Sequence, residues 1–286
     1  MTQFTEHYFH AQDDVRLYYR DYGNRRSSRT PLLCLSGLTR NSKDFHDIAC
    51  RHAETRRVIT LDYRGRGRSA YDPNPQNYQV PVYINDVMHL LAVTHVRRAV
   101  VLGTSMGGIV AMGMAVAIPT ALAGVILNDV GPEISETGRR RIAGYVGTQV
   151  HVPDYDAAAD LWRQNYAGAY PRLDGEGWLK LAKATFTEDP QRSGLRLDYD
   201  LNIAVPLREQ AHEPLPDLWP LFRALRHVPL LALRGAFSDI LTADTFVRMK
   251  REHAGMIAVT VPNVGHVPML DETEAQSAID AFLTDL

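Results

Sequence analysis

Residues 99–117 pass from a continuous apolar run, Ala99-Val100-Val101-Leu102, into a helical pattern through Gly103-Thr104-Ser105-Met106-Gly107, with no loop between them. A chain can turn from strand to helix this abruptly only where the side chains flanking the turn are absent, and glycines stand two residues to either side of Ser105. Such a turn pushes the Ser105 hydroxyl out above the strand end. It also leaves the following N–H groups at a helix N-terminus, where negative charge is favoured. Ser105 is therefore the candidate nucleophile.

The rest of the chain fits around that unit. His7–His10 and Val15–Tyr19 read as a hairpin across the polar stretch Ala11–Asp14. Short apolar runs follow at Pro31–Leu35, Val58–Leu61, Ala99–Gly103, Val125–Asn128, Pro229–Leu233 and Ile257–Val261. They alternate with helical patterns at Ser42–Ala53, Val82–His95, Met106–Ala117, Ala243–His253 and Glu272–Leu286. This alternation predicts a mostly parallel sheet covered by helices on both faces. From Pro132 to Pro216 the rhythm breaks. No clean strand is legible there, and Glu136–Val146, Ala157–Tyr166 and Gly177–Phe186 read as helices. The expected organisation is a core of residues 1–131 and 217–286 with a helical cap inserted at 132–216, its exit marked by Pro214 and Pro216.

Composition removes other classes. The 286 residues carry 31 Lys+Arg against 33 Asp+Glu, a net charge of -2 that gives no electrostatic case for nucleic acid. The first residues lack a basic stretch followed by an apolar one, and no run approaches the length of a membrane span, so a cytoplasmic protein without membrane attachment is expected. Two cysteines, Cys34 and Cys50, are too few for a disulfide framework and read as reduced thiols. No His/Cys spacing suggests a metal site.

A serine hydroxyl needs a base, and the base an orienting acid. His266, in Val264-Gly265-His266-Val267-Pro268 just past the last strand, is the candidate base. Asp239, in Arg234-Gly235-Ala236-Phe237-Ser238-Asp239 after strand Pro229–Leu233, is preferred as the acid. Asp129, after Val125–Asn128, is its rival, otherwise read as capping the turn into Gly131-Pro132. An oxyanion needs two backbone donors. Met106 N–H follows the nucleophile, and Leu38 N–H is expected from Ser36-Gly37-Leu38-Thr39-Arg40, with both side chains as apolar pocket walls. The insertion is rich in aromatics, and Trp162 and Tyr166, four residues apart on one helix face, are the candidate substrate-pocket residues. The chemistry itself is expected to need nothing from the insertion.

Gly103–Gly108, Asp62-Tyr63-Arg64-Gly65-Arg66-Gly67-Arg68-Ser69, the Ser238-Asp239 loop and Gly265-His266 together resemble the α/β-hydrolase superfamily over nearly the whole chain. The resemblance implies an eight-stranded, mostly parallel sheet and a Ser-Asp-His triad that works without a cofactor. Many members carry His-Gly before the oxyanion residue. Here Ser36-Gly37 keeps the backbone donor but changes the hydrogen bonding that braces the loop. A serine rather than an aspartate at the elbow speaks against haloalkane dehalogenase and epoxide hydrolase chemistry. The expected reaction is hydrolysis of a small to medium, partly apolar carboxylic ester through an acyl-enzyme. C–C bond hydrolysis, enol-lactone opening and cofactor-free perhydrolysis are alternatives on the same residues, and a hydrolase-fold ligand receptor is the alternative of another class.

Two further runs carry weaker signals. Gly65-Arg66-Gly67-Arg68-Ser69-Ala70 matches a dinucleotide fingerprint, but Tyr71-Asp72-Pro73-Asn74-Pro75 opens no helix, so Arg64, Arg66 and Arg68 read as anchors of a surface loop. Arg139-Arg140-Arg141 reads as a solvated helix face.

Overall fold

The computed structural model describes residues 4–210, 213 and 216–286. The strands run β1 (Phe4–His10), β2 (Arg16–Tyr22), β3 (Leu32–Leu35), β4 (Val58–Asp62), β5 (Ala99–Thr104), β6 (Leu122–Asn128), β7 (His151–Val152), β8 (Phe186–Glu188), β9 (Leu195–Leu197), β10 (Leu230–Gly235) and β11 (Ile257–Val261). The helices are α1 (His46–His52), α2 (Val80–Val93), α3 (Met106–Ala117), α4 (Glu136–Tyr145), α5 (Tyr155–Tyr166), α6 (Gly175–Thr185), α7 (Ala204–Glu209), α8 (Trp219–Ala224), α9 (Ala243–Glu252) and α10 (Thr273–Thr284).

Eight strands form one sheet in the order β1-β2-β4-β3-β5-β6-β10-β11. β1 and β2 pair antiparallel, β2 joins β4 antiparallel, and the remaining pairings are parallel. Successive strand residues point to opposite faces, and both faces are buried. Leu33, Leu35, Ile59, Leu61 and Val101 pack with Val87 and Leu90 of α2 and Val110 and Met114 of α3. Leu32, Cys34, Val58, Val100 and Leu102 pack with Ile48 and Ala49 of α1 and Ile279 and Phe282 of α10. Side-chain oxygens of Ser135, Asp154, Asp174 and Thr242 cap the first turns of α4, α5, α6 and α9.

The stretch between β6 and α8 holds α4 to α7, as the aromatic-rich helical pattern suggests, but it is not strand-free. β7, β9 and β8 form a small antiparallel sheet. Strands of two or three residues carry too few positions for a period-two signal. Val146, Val152, Ala158, Ala182 and Phe186 share one buried cluster with the sheet's helices, so this stretch packs on the core. Of its expected exit markers, Pro214 lies outside the described residues, while Pro216 precedes α8 in an irregular segment. No described helix is long and apolar enough to cross a membrane. Neither cysteine forms a disulfide among the described residues; Cys34 is fully buried, which pushes its thiol far up, and Cys50 is half-buried.

Arg64 and Arg66 correct the surface-loop reading, because both are buried. The Arg64 guanidinium donates to both carboxylate oxygens of Asp86 on α2 (2.8 and 2.6 Å) and to Asp13 (2.7 Å) and Asp72. It ties the loop after β4 to helix α2. Arg68 is the exposed member and pairs with Glu6. Truncating Arg64 leaves the carboxylates of Asp72 and Asp86, at 2% and 1% exposure, without their cation. Arg64→Ala is therefore expected to cost about 3–5 kcal/mol of stability by denaturant unfolding. Arg68→Ala is expected to cost less than about 1 kcal/mol. Equal losses would contradict this account of the network.

Candidate active site

Ser105 leaves β5, the strand with β3 on one side and β6 on the other, at φ 51° and ψ -118° before α3 begins at Met106. This left-handed backbone is strained for a non-glycine residue and puts the side chain above the strand end. A Cβ on Gly107 would run into the carbonyl of Leu35 at the end of β3, so the glycine lets α3 start against the neighbouring strand. The loops after β3 and β6 thus flank Ser105 directly.

His266 Nε2 lies 3.0 Å from Ser105 Oγ, and His266 Nδ1 lies 2.7 Å from Asp129 Oδ2. With Nδ1–H donating to the carboxylate, Nε2 is left to accept the serine proton. Asp129, not Asp239, is the acid that meets the imidazole, which overturns the preference drawn from the sequence. The physical reason lies in the path of the histidine loop. Ala236 N donates to Val261 O (2.8 Å) and Phe237 N to Val264 O (2.9 Å), which lays residues 261–265 across the end of β10. A side chain at Gly235 would strike the carbonyls of Val264 and Gly265. The loop therefore passes over β10 and delivers His266 to the end of β6.

Asp129 takes a left-handed φ of 57°, which a short polar side chain tolerates, and is fully buried. Burial of a carboxylate is costly unless donors surround it. Besides His266, it accepts from Gly235 N (2.8 Å) and from Ser238 Oγ (2.6 Å). Ser238 in turn accepts from Ile240 N (3.2 Å) and Leu241 N (3.1 Å). The Ser238-Asp239 loop thus supports the acid without supplying it. Asp239 instead binds Arg141 of α4, with Nη2 to Oδ1 at 2.8 Å and Nε to Oδ2. Burial pushes the Asp239 carboxyl up, but the hydrogen bonds and charge of Arg141 outweigh it and hold it below the usual carboxylate range.

The loop after β3 lies against the serine: a Cβ on Gly37 would sit 3.6 Å from that of Ser105. Neither Leu38 N nor Met106 N donates to a backbone or side-chain acceptor among the described residues. Ser36 Oγ donates to Arg40 O (2.9 Å), closing the loop on itself. Arg66, wholly buried, donates from Nε to Leu38 O (2.9 Å) and from Nη1 to Arg64 O (2.7 Å) and Tyr83 OH (2.8 Å). These groups brace the loop that carries Ser36-Gly37. The Leu38 side chain lines the cavity, as expected. Met106 does not: its sulfur turns back to Arg66 Nη2, 4.0 Å away.

A cavity of about 440 Å³ opens above Ser105 and His266. Leu38, Ile142, Leu161, Trp162 and Tyr166 are among its lining residues. The Trp162 and Tyr166 rings meet edge to face at 5.3 Å, and Trp162 also packs 5.4 Å from Phe186, so the two cavity-lining aromatics also pack within the insertion. Arg141 lines it too, whereas Arg139 and Arg140 pair with Glu136 on the outside, as a solvated face would. The insertion also reaches the base. Gly265 N donates to Ala169 O (2.7 Å) and Val267 N to Tyr170 OH (2.7 Å), so it contacts the residues on either side of His266, while Ser105, His266 and Asp129 all lie outside it. No group of three or more His, Cys, Asp or Glu side chains among the described residues is placed to hold a metal ion.

Ser238, Arg66, Arg141 and Tyr170 are the residues that sequence reasoning did not place at the site. The first could have been found in the run Phe237-Ser238-Asp239, where two oxygen-bearing side chains stand together and only one was weighed.

A family model described as the alpha/beta hydrolase family matches residues 32–279. A 3-hydroxybutyrate-oligomer hydrolase of Cupriavidus necator is 33% identical over 275 residues, covering 94% of this chain and 93% of that protein. A pimeloyl-[acyl-carrier protein] methyl ester esterase of Pectobacterium atrosepticum is 26% identical, over 91% of this chain and 94% of its own length. Among solved structures, an alpha/beta hydrolase of Novosphingobium aromaticivorans superposes with a TM-score of 0.94 at 41% identity, covering all of both chains.

If Asp129 orients the base, Asp129→Asn removes the acceptor for Nδ1–H and should lower kcat on p-nitrophenyl butyrate by about 10⁴-fold. Asp239→Asn leaves the contacts of His266 in place and should cost far less. Steady-state kinetics on both variants, with thermal melts to verify folding, check the ranking, and the reverse order would restore Asp239 as the acid.

Proposed function

The chain belongs to the alpha/beta hydrolase family and is a hydrolase; on that premise we propose that it cleaves carboxylic esters through Ser105, His266 and Asp129, with short oligoesters of 3-hydroxyalkanoates as the leading substrates. The observation that carries the reading is the continuous hydrogen-bonded line from Ser105 Oγ through His266 to buried Asp129, opening into a largely apolar cavity.

Ser105 Oγ attacks the ester carbonyl carbon while His266 Nε2 takes the hydroxyl proton. Asp129 stabilises the resulting imidazolium through Nδ1–H. The carbonyl oxygen becomes an oxyanion and accepts from Leu38 N–H and Met106 N–H; the second of these also stands at the positive end of α3. His266 then returns the proton to the alkoxide leaving group, and the alcohol departs from the acyl-enzyme. A water molecule, deprotonated by His266, adds to the acyl carbon. Collapse of that second tetrahedral intermediate breaks the Ser105 Oγ–acyl bond, restores the serine proton and releases the acid.

Two features support an ester over the other bonds this constellation can cleave. The units of a 3-hydroxybutyrate oligomer are joined by ester bonds, and the relative that shares most of this chain's length carries that oligomer in its name. The methyl ester esterase is a second relative over nearly the whole chain. The aromatic and aliphatic lining suits the methyl-bearing chain of such a substrate.

A fluorophosphonate should add a single group at Ser105, found by intact mass and peptide mapping, and Ser105→Ala should take none. The wild-type chain should hydrolyse 3-hydroxybutyrate dimer and trimer and p-nitrophenyl butyrate. Ser105→Ala should lower those rates by about 10⁴-fold or more. Turnover of an enol lactone or a C–C substrate with none of any ester, or binding without turnover, would replace this reading.

A further inference from the structure

We propose that Arg141 is the binding site for a free carboxylate on the ester substrate, held in place for that purpose by Asp239; this rests on the ester-hydrolase reading above. A guanidinium presents two edges that can grip a carboxylate, one side-on through Nε and one Nη, the other end-on through both Nη groups. Asp239 occupies the side-on edge, with Nε to Oδ2 and Nη2 to Oδ1. The end-on edge, Nη1 with the second Nη2 hydrogen, has no acceptor among the described residues, and the side chain is 33% exposed where it lines the cavity over Ser105.

The mounting of the group is rigid. Ser135, the cap residue of α4, donates from Oγ to Asp239 O, and Ser135 N donates to Ile240 O (3.0 Å). The helix that carries Arg141 is thus fastened at its first turn to the loop that carries Asp239. A guanidinium fixed in this way gives up little freedom when a ligand arrives. The other arginine of the cavity, Arg40, is more fully engaged. It grips both oxygens of Asp44 and donates from Nη1 to Thr185, so its side-on edge and part of its end-on edge are taken. Arg141 is the cavity guanidinium with a whole edge open. Around it stand Ile142, Tyr145 and Tyr166, and a charge-assisted bidentate bond is strong in such apolar surroundings.

The ligand class is therefore an ester with a free carboxylate elsewhere in the molecule, such as an oligomer of a hydroxy acid with an uncapped acid end. Asp239, standing where the orienting acid was expected, has become the holder of a substrate-binding cation.

The test compares the 3-hydroxybutyrate dimer with a free carboxylate and its methyl ester. The wild-type chain should show at least about tenfold higher kcat/KM for the acid, the effect of one charge-assisted bond. Arg141→Gln should bring the ratio to within about twofold of unity, Arg141→Lys should retain part of the preference, and Arg140→Gln, on the outer face, should retain all of it. A wild-type ratio near unity, or a preference that survives in Arg141→Gln, overturns the proposal. If Arg141→Gln does not fold, the wild-type ratio and the Lys variant decide. Calorimetric binding of both compounds to Ser105→Ala separates the two readings. Tighter binding of the acid, lost when Arg141→Gln is added, upholds the carboxylate site even if no ester is turned over. Equal binding of the two compounds overturns it.

Discussion

The buried carboxylate of Asp129 is the junction on which the site depends. A charge with no exposure to solvent survives only where donors replace its water, and here they come from three places: the imidazole of His266, the hydroxyl of Ser238 and the backbone of Gly235. These donors belong to the end of β10 and to the loops after β10 and β11, while the carboxylate directly follows β6. One buried side chain therefore fixes the ends of neighbouring parallel strands relative to one another, and the position of His266 above Ser105 follows from that. A parallel sheet alone would leave those loops free to choose among many paths.

The loop on the other side of Ser105 is held by a different device. This loop carries Ser36-Gly37-Leu38, and its carbonyls take donors from behind. Arg66 supplies one, buried against Tyr83 with its guanidinium 4.9 Å from the ring centre, and Ser36 closes the loop across its mouth. The cost of burying Arg66 is offset by carbonyl, hydroxyl and ring acceptors around its whole plane. The glycine-flanked arginine run after β4, which imitates a nucleotide motif, is thus part of the scaffold behind the cavity.

The sheet was legible in the sequence because each parallel strand is a short apolar run bounded by turn residues, and each long helix keeps its period. The elbow was legible because glycine spacing is a local signal, and His266 because a histidine after the last strand has few rivals. The acid was not legible, since the choice between Asp129 and Asp239 depends on how the 261–265 segment lies across β10. That path is set by contacts of Ala236 with Val261 and of Phe237 with Val264, far outside any local sequence window. The small sheet of β7 to β9 escaped for a related reason: it is defined by pairing, β8 with β9 as a hairpin and β7 with β9 across the intervening helices, and not by any pattern within two or three residues. The inward turn of Arg141 was hidden because three consecutive arginines look alike until a helix is docked, and docking turns Arg141 to the cavity while Arg139 and Arg140 stay on the outer face with Glu136.

The bonds from Ala169 and Tyr170 to the segment 265–267 have a consequence for how such a protein can diversify. The cavity over the serine is lined by the same stretch of chain that steadies the loop of His266, so the two are structurally coupled. Exchange of the whole insertion for that of a distant relative would remove two anchors of the histidine along with the old specificity. New substrate ranges are reached more readily by changing side chains such as Trp162 and Tyr166 on an unchanged backbone. A wholesale transplant would have to carry its own means of holding residue 266.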